Sequence, residues 1–130
     1  MVIDSSALLA VLFNEPEADR IALSIAADPR RLACAFTILE TAIVAEARKG
    51  EPGGRELDLL AHRIGLESVP LTASHGEVAR EAWRRFGRGR HPANLNIGDC
   101  CAYALSRVSG EPLLFKGADF AKTDISTVKY

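Results

Sequence analysis

The chain opens with MVIDSSALLAVLF (residues 1–13), a stretch that contains a short strand, an acidic residue and the start of a helix. Val2–Ile3 is an apolar run that ends at Asp4, and Ser5 or Ser6 can cap a helix that continues to Phe13. A strand that passes directly into a helix is the repeating unit of α/β domains. The stretch therefore predicts a carboxylate at the end of a buried strand.

The rest of the chain repeats this alternation of short apolar runs and longer helical segments. Between two later helices, Gly53–Gly54 is interpreted as a flexible joint. The predicted strands are Val2–Ile3, Leu32–Ala35, Leu66–Val69 and Pro112–Phe115, with a fifth candidate at Ser126–Lys129. The predicted helices after the first are Pro16–Ala27, Thr37–Lys49, Arg55–Ile64, Thr72–Phe86 and Gly98–Ser109.

This order of elements predicts an α/β fold. Strands separated by helices form βαβ crossovers, which give a mostly parallel sheet covered by helices on both faces. With 130 residues, no internal repeat and no linker, the chain is expected to form a single domain over residues 1–130.

The composition is that of an ordinary globular protein, with 48% hydrophobic and 25% charged residues. The net charge is −1, so any attraction to phosphate has to be local. Cys34, Cys100 and Cys101 fit neither a disulfide framework nor a zinc pattern, and they are interpreted as buried thiols. Because the sequence shows no signal peptide and no transmembrane stretch, a cytoplasmic protein without a membrane segment is expected.

Four acidic residues from distant parts of the chain are expected at one edge of the sheet. Asp4 and Asp119 follow the first and fourth strands, and Glu40 and Asp99 lie in the first turns of predicted helices. Ligands of open parallel sheets bind beyond the carboxyl ends of the strands. Because clustered carboxylates repel one another, a hard cation such as Mg²⁺ is the usual partner that stabilises them. The pattern predicts metal-dependent chemistry on phosphate.

Each acid also has a purely structural interpretation. Glu40 can complete a capping box with Thr37, and Asp99 can stabilise the positive end of its helix. Asp4 can cap the first helix, and Asp119 can be an ordinary turn residue. The occurrence of all four at one predicted edge is what favours a shared site.

Three further side chains belong to the same neighbourhood of the sequence. Ser6 can orient Asp4, hold a metal-bound water or cap the helix, and one side chain can do more than one of these. Asn96 is either a helix cap or a hydrogen-bond donor that supports the acids. Asp124 is a fifth candidate carboxylate, with a cap or turn residue as the alternative.

Local positive charge is concentrated around a glycine-rich loop after the fifth predicted helix. Arginines on such a loop can reach phosphates, although Arg84 and Arg85 can instead offset the helix dipole. Trp83 and Phe86 are interpreted as core or dimer-surface residues rather than base-stacking platforms, and no histidine is assigned a catalytic role. The candidate phosphate-binding residues are Arg84, Arg85, Arg88, Arg90, His91 and Lys116.

Four segments of the chain resemble the PIN-domain family and, within it, the VapC-like ribonuclease toxins. They span nearly the whole chain in the order and spacing of that family. One departure is Ala118, where family members often have an acidic residue or Asn; it concerns a secondary ligand or hydrogen bond and not Asp119 itself. The matching segments are Met1–Leu8, Thr37–Glu40, Leu95–Cys100 and Leu113–Phe120, the last followed by Thr123–Ile125.

The resemblance implies a three-layer α/β/α sandwich with a central, mostly parallel sheet of four or five strands. It implies an endoribonuclease that uses Mg²⁺, or Mn²⁺ in its place, to cleave RNA phosphodiester bonds with a metal-activated water. It also implies a cognate antitoxin, a homodimer and a toxin–antitoxin hetero-oligomer. Carried over residue by residue, the catalytic and metal-binding positions are Asp4, Glu40, Asp99 and Asp119, with Asp124 as an additional candidate ligand.

Other classes of α/β protein fit these residues less well. A phosphatase of the haloacid-dehalogenase type needs a second aspartate where this chain has Ser6, and a receiver domain needs an acidic pair that Ser5 interrupts. A catalytically inactive PIN-fold module regulated by an antitoxin-like partner is the remaining alternative. It differs from the enzyme in whether Mn²⁺ binding and nuclease activity both depend on Asp4.

Overall fold

The computed structural model describes all 130 residues. None of its helices combines the length and the apolar character needed to cross a membrane. The elements are β1 (Val2–Ile3), α1 (Ser5–Leu12), α2 (Ala18–Ala27), β2 (Leu32–Cys34), α3 (Ala35–Lys49), α4 (Glu51–Arg63), β3 (Glu67–Val69), α5 (Ala73–Phe86), α6 (Ile97–Ser109), β4 (Leu113–Leu114) and a short 3₁₀ helix (Phe120–Lys122).

The four strands form one parallel sheet in the order β3-β2-β1-β4. The first strand is central, with Val2 aligned with Leu32 on one side and with Leu113 on the other. The carboxyl ends of all four strands therefore meet at one edge of the sheet. The fifth strand predicted at Ser126–Lys129 is wrong, because only an isolated bridge between Leu113 and Thr127 forms there.

Two hydrophobic clusters lie on opposite faces of the sheet, because successive residues of a strand point to opposite faces. Val2 and Leu113 belong to the cluster covered by α5 and α6. Their neighbours Ile3 and Leu114 belong to the cluster covered by α1 and α2. The predicted α/β/α sandwich with a parallel central sheet is confirmed.

The start of α3 differs from the prediction. The helix begins at Ala35 with Cys34 as its N-cap, two residues before the predicted start. Thr37 therefore lies inside the helix, where its hydroxyl is buried and has no hydrogen-bond partner. Glu40 then falls in the second turn and not the first. The capping-box interpretation of Thr37 and Glu40 is wrong, so capping does not explain why an acid stands at position 40.

The predicted flexible joint at Gly53–Gly54 is also wrong, because both glycines are buried inside α4. A Cβ atom on Gly53 would lie 2.4 Å from the backbone oxygen of Ala45 in α3. A Cβ atom on Gly54 would lie 2.5 Å from Oε1 of Glu46. The two glycines therefore permit close packing of α4 against α3.

Candidate active site at the carboxyl edge of the sheet

Asp4 is buried at the end of β1, with 3% of its surface exposed. Its N–H donates to the carbonyl of Leu114 at 2.9 Å, which fixes it beside β4. Its Oδ2 accepts hydrogen bonds from the N–H (3.0 Å) and hydroxyl (2.6 Å) of Ser6, so Asp4 also caps α1. Its Oδ1 is buried without a partner. Burial raises the pKa of Asp4, against the hydrogen bonds from Ser6, and the charge of Asp119 adds to the rise.

Ser6 is held from both sides by the elements around Asp4. Its hydroxyl donates to Asp4 and accepts a hydrogen bond of 2.9 Å from the backbone N–H of Lys116, which follows β4. Because the hydroxyl proton is directed at Oδ2, the other oxygen of Asp4 stays free. The structure thus places Ser6 as the residue that orients Asp4, one of the roles predicted for it.

Asp99 lies in the first turn of α6, where it forms a reciprocal capping box with Asn96. Its Oδ2 accepts from the N–H of Asn96 at 2.8 Å, and its own N–H donates to Oδ1 of Asn96 at 2.9 Å. Burial raises the pKa of Asp99 from 3.8 to about 7, against the Asn96 hydrogen bond and with help from the charges of Asp4, Glu40 and Asp119. The carboxylate of Asp99 therefore both caps α6 and lies near the other predicted acids, Asp4, Glu40 and Asp119.

Glu40 reaches the same cluster from α3 through a gap left by a glycine. A Cβ atom on Gly98 would lie 2.5 Å from Oε2 of Glu40, so the carboxylate rests against the start of α6. Burial raises the pKa of Glu40, a hydrogen bond from the Ser5 side chain lowers it, and the charge of Asp4 raises it. Ser5 and Gly98 were not predicted as site residues, since their role depends on contacts between distant elements.

Asp119 lies at the start of the 3₁₀ helix after β4, is exposed and makes no capping hydrogen bond. Its charge raises the pKa of both Asp4 and Asp99, which places it in their vicinity.

Asp124 is differently placed: its Oδ1 accepts a hydrogen bond from the Tyr103 hydroxyl (2.6 Å) and its Oδ2 accepts one from Arg85 (2.8 Å). These contacts lower the pKa of Asp124. Metal binding by Asp124 remains a prediction.

The negative charge of the acidic cluster (Asp4, Glu40, Asp99 and Asp119) is not neutralised within the chain. None of the four takes part in an ion pair of the structure. No three potential ligands are drawn together closely enough to enclose a metal ion. The donor set nevertheless fits a hard divalent cation, because it consists only of carboxylate oxygens and includes the unpartnered Oδ1 of Asp4.

The predicted phosphate-binding residues divide into two groups. Arg85 is paired with Asp124, and Lys116 forms ion pairs with Glu15 and Glu17, the latter at 3.2 Å. The remaining candidates carry no ion pair in the structure, and for them phosphate contact requires no existing bond to break. This second group consists of Arg84, Arg88, Arg90 and His91.

A parallel sheet between helix layers, with four acids at its carboxyl edge, is the arrangement that the resemblance to the PIN-domain family implies. The family model described as "PIN domain" matches residues 1–126, and the chain belongs to this family. Within the family it is similar to the VapC ribonucleases. It is 55% identical over 128 residues to VapC ribonuclease Mb0640 of Mycobacterium bovis and to ribonuclease VapC30 of Mycobacterium tuberculosis, with 98% of each chain covered. The resemblance stated from the sequence motifs is confirmed.

Solved structures of low sequence identity share the fold. One is Mycobacterium tuberculosis VapC20, described as a sarcin–ricin loop cleaving toxin, with a TM-score of 0.79, 17% identity and coverage of 99% of this chain and 98% of that one. Another belongs to a toxin–antitoxin complex from Klebsiella pneumoniae, with a TM-score of 0.72, 18% identity and coverage of 99% and 97%.

Proposed function

We propose that this chain is a metal-dependent endoribonuclease and the toxin component of a toxin–antitoxin pair. The observation that carries the proposal is the uncompensated acidic cluster, which stands at the ligand-binding edge of a PIN domain. The similarity to VapC ribonucleases over nearly the full length of the chain supports the same activity.

In this proposal Asp4, Glu40, Asp99 and Asp119 hold Mg²⁺, for which Mn²⁺ can substitute. The bound ion supplies charge neutralisation for the phosphate and lowers the pKa of the attacking water. The chain contributes the arrangement of its oxygens. Ser6 keeps one oxygen of Asp4 free, and the N–H of Asn96 fixes the carboxylate of Asp99.

The electrostatics of the cluster predict how cation binding responds to pH. Carboxylates bind a cation in the ionised form, so raised pKa values make protons compete with the metal. Because the pKa of Asp99 is about 7 in the metal-free protein, Mn²⁺ affinity is expected to increase between pH 6 and 8. Affinity that is constant over this range would contradict the role given to Asp99.

The function is tested by cleavage of single-stranded RNA in the presence of Mg²⁺ or Mn²⁺, with EDTA as the metal-free control. The variants are Asp4→Asn and Asp99→Asn, which keep the side-chain size and remove one charge. Asp58→Asn is the matched control, since Asp58 is exposed on α4 and takes part in no ion pair. We expect both cluster variants to lose cleavage and Mn²⁺ binding while Asp58→Asn behaves as the wild type.

The outcomes separate the proposal from its alternative. Unchanged cleavage by Asp4→Asn or Asp99→Asn, at matched folding, would refute the assigned roles. Mn²⁺ binding that depends on Asp4 without any cleavage of RNA would instead identify a non-catalytic module.

The proposed partners are an RNA substrate, a cognate antitoxin and a second copy of the chain, all in the cytoplasm. A toxin–antitoxin complex among the structural neighbours supports the antitoxin. The uncompensated charge of the cluster suits an antitoxin arginine, since a guanidinium forms strong bidentate hydrogen bonds with carboxylates. Co-purification of a second protein that has an arginine-containing segment and blocks Mn²⁺ binding would support this assignment.

A further inference from the structure

A cavity of about 660 Å³ opens between α5 and the start of α6, and the chemistry proposed above does not use it. Its wall is mostly apolar, and three of its wall residues are unusually exposed for their type. The exposed fractions are 43% for Leu71, 42% for Trp83 and 69% for Ile97. Arg80 and Arg88 complete this part of the wall, which includes no acidic residue.

The cavity adjoins the acidic cluster at the start of α6, although none of the four acids lines it. Asn96 lines the cavity and, through its N–H, binds the carboxylate of Asp99 at 2.8 Å. Ile97 occupies the first position of α6, two residues before Asp99. A molecule that fills the cavity therefore lies within one helical turn of a proposed metal-binding carboxylate.

The indole ring of Trp83 is held in place by the loop that follows α5. A Cβ atom on Gly87 would lie 2.6 Å from Cδ1 of the ring, so the backbone of Gly87 packs directly on it. The guanidinium carbon of Arg90 lies 4.1 Å from the ring centroid, in cation–π geometry. Arg90, which does not line the cavity, covers one face of the ring, so a ligand can stack only on the other face. A ring fixed in this way loses little conformational entropy when a ligand stacks on it.

The arginines around Trp83 are available for an anion. Arg80, Arg88 and Arg90 take part in none of the ion pairs of the structure, whereas Arg85 is paired with Asp124. A flat aromatic wall, an apolar cavity and unpaired arginines are the features by which proteins bind single-stranded nucleic acid.

We infer that this cavity receives an unpaired nucleobase of the RNA substrate, with Trp83 as the stacking surface and the arginines on the adjoining phosphates. This role differs from the sequence-based interpretation of Trp83 as a core or dimer-surface residue, because 42% of Trp83 is exposed at the cavity. The inference rests on the proposed ribonuclease function and specifies how that substrate is held. Cleavage then takes place next to a base that is no longer stacked on the neighbouring bases of the RNA. The cavity favours RNA that is single-stranded at the cleaved position, because a paired base cannot enter it.

Fluorescence offers a direct measurement, since Trp83 is the only tryptophan of the chain. The probe is a short single-stranded RNA of mixed sequence, added in EDTA so that no cleavage occurs. An abasic oligomer of the same length carries the phosphates without the bases, and a blunt RNA duplex carries the bases in paired form. We expect the single strand to quench Trp83 and the two controls to leave its emission nearly unchanged.

Two variants separate stacking from packing. Trp83→Leu keeps an apolar side chain and is expected to weaken single-strand binding by about 5-fold to about 150-fold, as for loss of one stacked base. Trp83→Phe keeps an aromatic ring and is expected to restore most of the affinity. Both variants should bind Mn²⁺ like the wild type, because neither touches the acidic cluster.

Several results would overturn the inference and leave the ribonuclease proposal standing. One is equal binding of the RNA and the abasic oligomer by a wild-type protein that cleaves RNA with Mn²⁺. Another is unchanged RNA affinity in Trp83→Leu together with a change in self-association by sedimentation, which would assign the cavity to a second copy of the chain. Absence of cleavage by the wild type in every metal would count against the proposed function itself.

Discussion

Replacing Asp99 by asparagine should make the metal-free protein more stable at pH 8. The pKa of Asp99 rises from 3.8 to about 7 on folding, mainly because the side chain is desolvated. Because the folded-state pKa lies above the unfolded value, the protonated Asp99 side chain makes its full contribution to stability below about pH 4. This contribution is lost as the pH rises through about 7.

The magnitude follows from the size of the rise. About three pKa units correspond to about 4 kcal/mol. Because Asp99 is only half-buried, solvent screening reduces the expected effect to roughly 2 kcal/mol. Asparagine keeps an oxygen that can accept from the N–H of Asn96, so the cap survives the substitution in weakened form.

The assay is urea unfolding followed by circular dichroism in EDTA, at pH 5 and pH 8. We expect the free energy of unfolding of Asp99→Asn to exceed that of the wild type at pH 8, and the difference to shrink at pH 5. Asp124→Asn is the control of opposite sign. The Tyr103 hydrogen bond and Arg85 lower the pKa of Asp124 below its unfolded value of 3.8, so its stabilisation is fully present at both pH 5 and pH 8. Asp124→Asn should therefore be less stable than the wild type at both pH values. A difference between Asp99→Asn and wild type that is the same at both pH values would refute the reasoning.

Two glycine substitutions test the packing around the site. Gly98→Ala places a Cβ atom 2.5 Å from Oε2 of Glu40, so RNA cleavage should fall on the order of 10- to 100-fold. Its free energy of unfolding should change by less than about 1 kcal/mol, because the Glu40 side chain can turn away and alanine favours the helix; a fully active variant would contradict the contact. Gly53→Ala forces α3 and α4 apart and should cost about 1–3 kcal/mol in urea unfolding. The matched Gly76→Ala, with open space around its Cβ position in α5, should gain about 1 kcal/mol.

The acids at the carboxyl edge of the sheet could be predicted from the sequence because each depends on a short local pattern of residues. Val2–Ile3 followed by Asp4 specifies a buried strand with an acid at its end, and parallel strands bring such ends together. Asn96 followed three residues later by Asp99 specifies a helix start, which the structure contains. The ends of these elements were therefore located from the sequence, and the catalytic and metal-binding roles of their acids stay a prediction.

The features that the sequence did not reveal depend on tertiary contacts. Gly53 resembles a joint by composition, but in the structure it is the place where α4 touches the backbone of α3. Lys116 resembles a free phosphate-binding residue, but Glu17, far away in the chain, pairs with it at 3.2 Å. Thr37 resembles a helix cap, but the helix starts earlier because α3 follows β2 without an intervening loop. Local patterns carry no information about such partners.

The central position of β1 has a consequence for the synthesis of the chain. The strand is made long before one of its neighbours, β4, and the N–H of Asp4 donates to the carbonyl of Leu114. The Ser6 hydroxyl likewise accepts its hydrogen bond from the N–H of Lys116 only after Lys116 has been made. A ribosome-bound chain that stops before these residues cannot assemble the acidic cluster. Any activity of that cluster is therefore withheld until β4 and Lys116 have been synthesised, whatever other control acts on the folded protein.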